Sequence, residues 1–144
     1  MMNHTTMADM VRHFQSTFGL PVDHELRIGA VDLEHIGLRE ALHAEEYREV
    51  VQAAQLLATG LYQKRGSEFL AKAKADYLKE LCDLIYVLLG TAVTFGFKVD
   101  PAFVRVHDRN MLKVRDENAD PMKPKKVKKG SNYVAPDLTD LVAV

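Results

Sequence analysis

Ser67–Phe95 reads SEFLAKAKADYLKELCDLIYVLLGTAVTF. Leu78, Leu81, Leu84, Ile85, Leu88, Leu89 and Val93 recur at three- and four-residue spacing, the period of one helix face. Ser67 carries a hydroxyl suited to an N-cap and Gly96 is a natural stop. The stretch therefore predicts a helix of about 28 residues, ~42 Å long. On its N-terminal side the pattern repeats. Asp32 to Ala58 places Leu33, Ile36, Leu42, Val50, Ala54 and Leu57 on one face, and Gly60 to Gly66 reads as the turn between the two helices. Two long amphipathic helices joined by a short turn make an antiparallel hairpin, and a hairpin cannot bury its apolar stripe alone.

Further out, Thr6 to Phe18 predicts a helix with Met7, Met10, Val11, Phe14 and Phe18 as its stripe, Thr6 as N-cap and Gly19 as stop. Residues 20–30, with Pro21 and Gly29, read as a connector. Asp100-Pro101 reads as an N-cap followed by proline, opening a fourth helix to Val114 with Phe103, Val106 and Met111 inward. From Arg115 the periodicity fails. The tail carries Asp116, Glu117 and Asp120, then Lys123, Lys125, Lys126, Lys128 and Lys129, then Gly130-Ser131-Asn132-Tyr133, and is expected to be irregular. No run alternates in period two, so strands are not expected. The fold class is all-α: antiparallel helical hairpins forming a four-helix bundle core completed by a second subunit, as a homodimer or a dimer of dimers. Residues 1–115 form the helical domain and 116–144 the basic C-terminal tail or flap.

Composition excludes several classes. Among 144 residues, 19 Lys and Arg against 20 Asp and Glu give a formal net charge of −1, which argues against a nucleic-acid partner. Hydrophobic residues at 47% exclude wholesale disorder. One cysteine, Cys82, allows no internal disulfide, so the chain reads as cytoplasmic, with Cys82 as a small buried apolar residue. Met1 to Met10 lacks an apolar core, so no secretory signal is expected. The longest apolar stretch, Leu84 to Val93, falls far short of the ~20 residues of a membrane span, so no membrane partner is expected.

The acids are the informative polar residues. Glu45-Glu46-Tyr47-Arg48-Glu49 sets Glu46 and Glu49 at i,i+3 and Glu45 and Glu49 at i,i+4, and Glu80-Leu81-Cys82-Asp83 repeats the i,i+3 spacing. Carboxylates beside a bundle core need compensating charge, and a hard divalent cation, Mg²⁺ or Mn²⁺, supplies it through oxygen ligands. An isolated pair of this kind is ordinarily a solvated helix face. Two pairs on adjacent antiparallel helices leave a solvated face and a cation site both open. Glu40-x-x-His43 is half of a di-iron motif, but the chain has no second Glu-x-x-His.

The two acidic pairs in order, Glu46-x-x-Glu49 and Glu80-x-x-Asp83, resemble the signature of the all-α nucleoside triphosphate pyrophosphohydrolases, the MazG-like and dimeric dUTPase-like superfamily. Leu42-His43-Ala44-Glu45-Glu46-Tyr47-Arg48-Glu49-Val50 is similar to the first acidic helix of that superfamily, and Glu80 to Ala92 to the second. Val106-His107-Asp108-Arg109-Asn110-Met111-Leu112-Lys113 and Lys129-Gly130-Ser131-Asn132-Tyr133-Val134-Ala135-Pro136-Asp137-Leu138 are similar to the segments that follow, so the likeness spans roughly residues 10 to 138.

The resemblance implies cleavage of a (d)NTP between the α and β phosphates, giving a (d)NMP and pyrophosphate, in nucleotide-pool control. It implies Mg²⁺, with Mn²⁺ as the alternative, held by Glu46, Glu49, Glu80 and Asp83. Glu45 is then a further ligand or the base that orients water. Asn110 and Lys113 would meet phosphate or sugar oxygens. Lys129 and Tyr133 would act from a flap that closes over substrate, with Phe14 at the pocket edge or in the core. The base is open between a purine (dGTP or GTP) and a non-canonical one. A dedicated dUTPase and, from another class, a non-catalytic helical adaptor are the alternatives.

Overall fold

A computed structural model describes residues 6–122 and 127–142. The fold is all-α, and 66% of the described residues are helical. Lys123, Lys125 and Lys126 of the lysine run lie outside the described residues.

Helix α1, Met7–Thr17, begins where the sequence predicts. The Thr6 hydroxyl accepts from the Asp9 N–H at 3.1 Å and the Asp9 carboxylate accepts from the Thr6 N–H at 3.2 Å. This reciprocal cap satisfies two donors that a helix start otherwise leaves open. Ala8, Val11 and Gln15 form its buried stripe, laid against helix α3, Ser67–Phe95. Buried Gln15 is satisfied: its amide donates to the Pro21 carbonyl at 2.7 Å and to the Thr94 hydroxyl at 3.1 Å. The connector is pinned to the end of α3. The Asp23 and His24 N–H groups donate to the carbonyls of Val93 and Thr94 at 3.0 and 2.7 Å.

Helix α2, Ala30–Tyr62, packs along α3. It runs through Gly60, which the sequence reading assigned to the turn. A Cβ on Gly60 would stand 2.5 Å from Cε1 of Phe69, so the missing side chain is what lets the Phe69 ring close the hairpin corner. Arg65 caps that ring with its guanidinium 4.0 Å from the centroid. The reversal occupies residues 63–66, and Gly66, not Ser67, holds the cap position of α3. Gly96 ends α3 in the left-handed conformation at φ 71°, with the Phe97 N–H donating to the Ala92 carbonyl at 2.8 Å.

Helix α4, Val99–Asn110, leaves α3 at 117°. Its cap is Lys98, two residues earlier than the Asp100 cap that Asp100-Pro101 predicts. Pro101 sits in the first turn, where a missing N–H costs nothing. The tail is less irregular than expected. Strand β1, Val114–Arg115, pairs antiparallel with β2, Val127–Lys128. A 3-10 turn at Thr139–Leu141 then docks on α4. There the Arg105 guanidinium grips Asp140 at 2.6 and 2.9 Å, and the Lys98 N–H donates to the carbonyl of buried Leu141 at 2.8 Å. Such a pairing of two residues carries too little pattern to read from sequence.

The core is small and sits at the α1–α3 end. Among the described residues the buried apolar side chains are Ala8, Val11, Val50, Ala73, Ala92, Val93, Phe95 and Leu141. Several expected core residues are corrected. Leu33, Leu42, Leu78, Ile85, Leu88, Phe103 and Met111 are exposed in the single chain, and Cys82 is exposed rather than buried. Two rods in contact bury one seam between them, and the remainder of a wide apolar stripe stays open. Among the described residues no single helix is long and apolar enough to cross a membrane.

Candidate active site on the seam of the helical hairpin

The seam-facing side of α2 is polar at its centre. Arg39, His43, Glu46 and Val50 recur at helical spacing and all face α3. The Arg39 guanidinium donates to the Val87 carbonyl at 2.6 Å and to the Thr91 hydroxyl at 3.0 Å. His43 Nε2 lies 2.5 Å from the same hydroxyl. Burial lowers the pKa of Arg39 from its ordinary value. A Cβ on Gly90 would collide with Arg39 Nη2 and stand 2.7 Å from Gln15 Oε1, so Gly90 leaves room for both polar ends.

One helical turn further along, the acids meet. Carboxylate oxygens of Glu46, Glu80 and Asp83 all lie within 4.8 Å of one another, and all three residues are half-buried. Burial, and then the charges of Asp83, Glu80 and Glu45, raise the Glu46 carboxyl above its ordinary value, with Lys79 pulling the other way. Lys79 Nζ stands 2.7 Å from Asp83 Oδ2 and 3.5 Å from Glu80 Oε1. Hydrogen bonding to Asp83 and the charges of both acids raise its own pKa. The donor set is all oxygen, negatively charged and crowded, and it suits a hard divalent ion. Lys79 supplies part of that neutralisation from an exposed, flexible stem.

The remaining candidates fall around this centre. Glu49 is exposed one turn beyond Glu46 and lines a groove with Gln52, Leu56, Asp76, Lys79 and Glu80. It stands outside the tight carboxylate group. Glu45 is exposed and acts on Glu46 through its charge. Phe14 stands half out of the core, its ring 4.9 Å from Phe18 and edge-on to Tyr86 at 5.3 Å. Tyr86 follows Asp83 by three residues on α3. Asn110 ends α4 and is exposed. Lys113 and Lys129 flank the Tyr133 ring at 5.6 and 5.2 Å from its centroid. Among the described residues no hydrogen bond or ion pair joins that cluster to the carboxylates.

Sequence reasoning missed Arg39, Lys79 and Tyr86. Arg39 and Lys79 had a readable signal: Arg39 lies two turns before Glu46 on the same face, and Lys79 lies four residues before Asp83. An apolar stripe does not by itself describe α2, whose seam is polar at its middle.

The family model described as phosphoribosyl-ATP pyrophosphohydrolase matches residues 11–110, from α1 to the end of α4, and so includes both acidic pairs. No curated protein matches the chain significantly.

Proposed function

The chain belongs to the phosphoribosyl-ATP pyrophosphohydrolase family, within the all-α MazG-like nucleoside triphosphate pyrophosphohydrolase superfamily, and from that premise we propose that it hydrolyses a (d)NTP between the α and β phosphates to a (d)NMP and pyrophosphate. The family's chemistry is hydrolysis of a nucleotide phosphoanhydride, and the family generally depends on a divalent metal. The observation that carries the finer reading is the convergence of Glu46, Glu80 and Asp83 on the hairpin seam.

In this reading Glu46, Glu80 and Asp83 hold Mg²⁺ or Mn²⁺, with Glu49 approaching from the groove. A bound ion of this class supplies charge neutralisation for a polyphosphate and a more acidic water. Glu45, solvent-facing beside Glu46, takes the proton as a water oxygen attacks the α phosphorus. The bond from that phosphorus to the bridging oxygen breaks, and its electron pair leaves with pyrophosphate. Lys79 releases its acids and turns to the substrate's phosphates. Lys113, Lys129 and Asn110 hold the distal phosphates or sugar from the α4 end, with Tyr133 over them as part of a flap. Phe14 and Tyr86 offer ring faces or edges to the base, a purine or a non-canonical base in this reading.

A panel of ribo- and deoxynucleoside triphosphates, with dUTP and phosphoribosyl-ATP included, tests this by pyrophosphate release with Mg²⁺ and with Mn²⁺. At least one substrate should be cleaved, and Glu49→Gln or Asp83→Asn should abolish release while the helical circular dichroism is kept. Cleavage of dUTP alone would make the chain a dedicated dUTPase. Inertness toward the whole panel with both metals would favour the helical adaptor.

A further inference from the structure

A second cluster of metal-ligating side chains lies at the other end of α2. His24 comes from the connector, and its N–H is fixed to the end of α3 through the Thr94 carbonyl at 2.7 Å. Its Nε2 lies 2.7 Å from Asp32 Oδ1 in the first turn of α2. The other carboxylate oxygen, Asp32 Oδ2, accepts from the Arg27 N–H at 2.6 Å, which fixes the plane of the carboxylate. His35, one turn beyond Asp32, brings its ring within 4.5 Å of the His24 ring. One candidate ligand atom from each of the three residues lies within 4.8 Å of the others.

The pairing of His24 with Asp32 explains two of these groups and leaves the third unexplained. Nδ1 of His35 is buried and has no hydrogen-bond partner among the described residues. A buried imidazole nitrogen without a partner is unfavourable, and native folds rarely keep one for nothing. We propose that His24, Asp32 and His35 form a binding site for a borderline transition-metal ion of the Zn²⁺ class, separate from the acidic centre.

The chemistry selects that class. Two imidazoles and one carboxylate favour Zn²⁺, Co²⁺ or Ni²⁺, whereas Mg²⁺ prefers oxygen ligands alone. Ligand atoms around a tetrahedral Zn²⁺ stand about 3.4 Å apart, given bonds of roughly 2.0–2.1 Å. The observed cluster reaches this by a slight opening of the His24–Asp32 pair and a small inward turn of His35. The Arg27 N–H bond to Asp32 is the kind of outer contact that orients a ligating carboxylate. Three protein ligands leave a fourth position for water. His35 and Glu46 are eleven positions apart, about 16 Å along α2 at 1.5 Å per residue, so this ion would not share ligands with the acidic centre. Its effect is to clamp the connector, and with it α1, to the start of α2.

The test uses the untagged full chain and Co²⁺ as a spectroscopic stand-in. One equivalent of Co²⁺ should give the intense visible absorption of a four-coordinate site, which Zn²⁺ bleaches and excess Mg²⁺ does not. The band should survive in Glu80→Gln and Asp83→Asn. It should be lost, with affinity down about tenfold or more, in His35→Ala and in His24→Ala, whose backbone contact to Thr94 is untouched. Absence of the band from the wild-type chain would overturn the proposal without reference to any variant. So would a band that persists in both histidine variants, or one removed by the acidic-centre variants. None of these readouts depends on nucleotide hydrolysis.

Discussion

Glu46 is the residue at which two demands conflict. Packing puts it on the seam beside Glu80 and Asp83, and burial together with those charges holds its carboxyl above the ordinary range. A carboxyl raised in the folded state loses stability as pH rises through its folded pKa. At neutral pH the metal-free protein therefore carries a penalty there. Glu46→Gln should raise the melting temperature of the metal-free protein by a few °C while abolishing pyrophosphate release. A variant that melts lower than wild type in chelator would show that the crowding is not felt. The i,i+3 spacing of Glu46 with Glu49 and of Glu80 with Asp83 was readable, because local spacing fixes which side chains share a face. Which three of the four acids approach closely was not. It depends on how α2 is rotated against α3, a property of two helices together.

At the scale of elements, the helices were read most securely where a cap or a left-handed stop marks their ends. The Thr6–Asp9 box opened α1, and Gly96 closed α3 at φ 71°. The reading failed at Gly60, because a glycine inside a helix looks like a break until the ring lying over it is known. Gly60→Ala should therefore destabilise the protein, although alanine is favoured over glycine by ~1 kcal/mol inside a helix. The added methyl must displace Phe69, which stands 2.5 Å from its position. Chemical denaturation that shows a gain in stability would count against this packing. The tail gives a second prediction. The Arg105 guanidinium, first by its hydrogen bond and then by its charge, holds Asp140 below the ordinary carboxylate value of 3.8. A depressed carboxyl adds stability that is full above the unfolded pKa and is lost as pH falls through the folded one. The advantage of wild type over Asp140→Asn should be constant from neutrality down to about pH 5 and fade below pH 4. Melting curves at stepped pH check this; an advantage that persists at pH 2 would sink the ion pair as its source.

For the whole molecule, the notable feature is how much apolar surface one chain leaves open. Leu33, Leu78, Leu88 and Phe103 are each more than 45% exposed, and two helices that pack along one seam leave the rest of their apolar stripes open to a further partner. We expect a second copy to cover it, completing a four-helix bundle. Light scattering should then return a multiple of 16.2 kDa, and Leu88→Glu should shift the population toward the single chain. A wild-type protein that runs as a monomer at micromolar concentration would refute this. The sequence by itself determined the helical class, the hairpin and the i,i+3 spacing of its acidic pairs, because helical periodicity and capping are written into neighbours a few positions apart. Only the tertiary structure decided that Arg39 and His43 fill the seam, that Lys79 neutralises the acids and that Asp140 ties the tail to α4. Those pairings depend on the relative rotation and crossing of distant elements, which the packing of the whole chain sets.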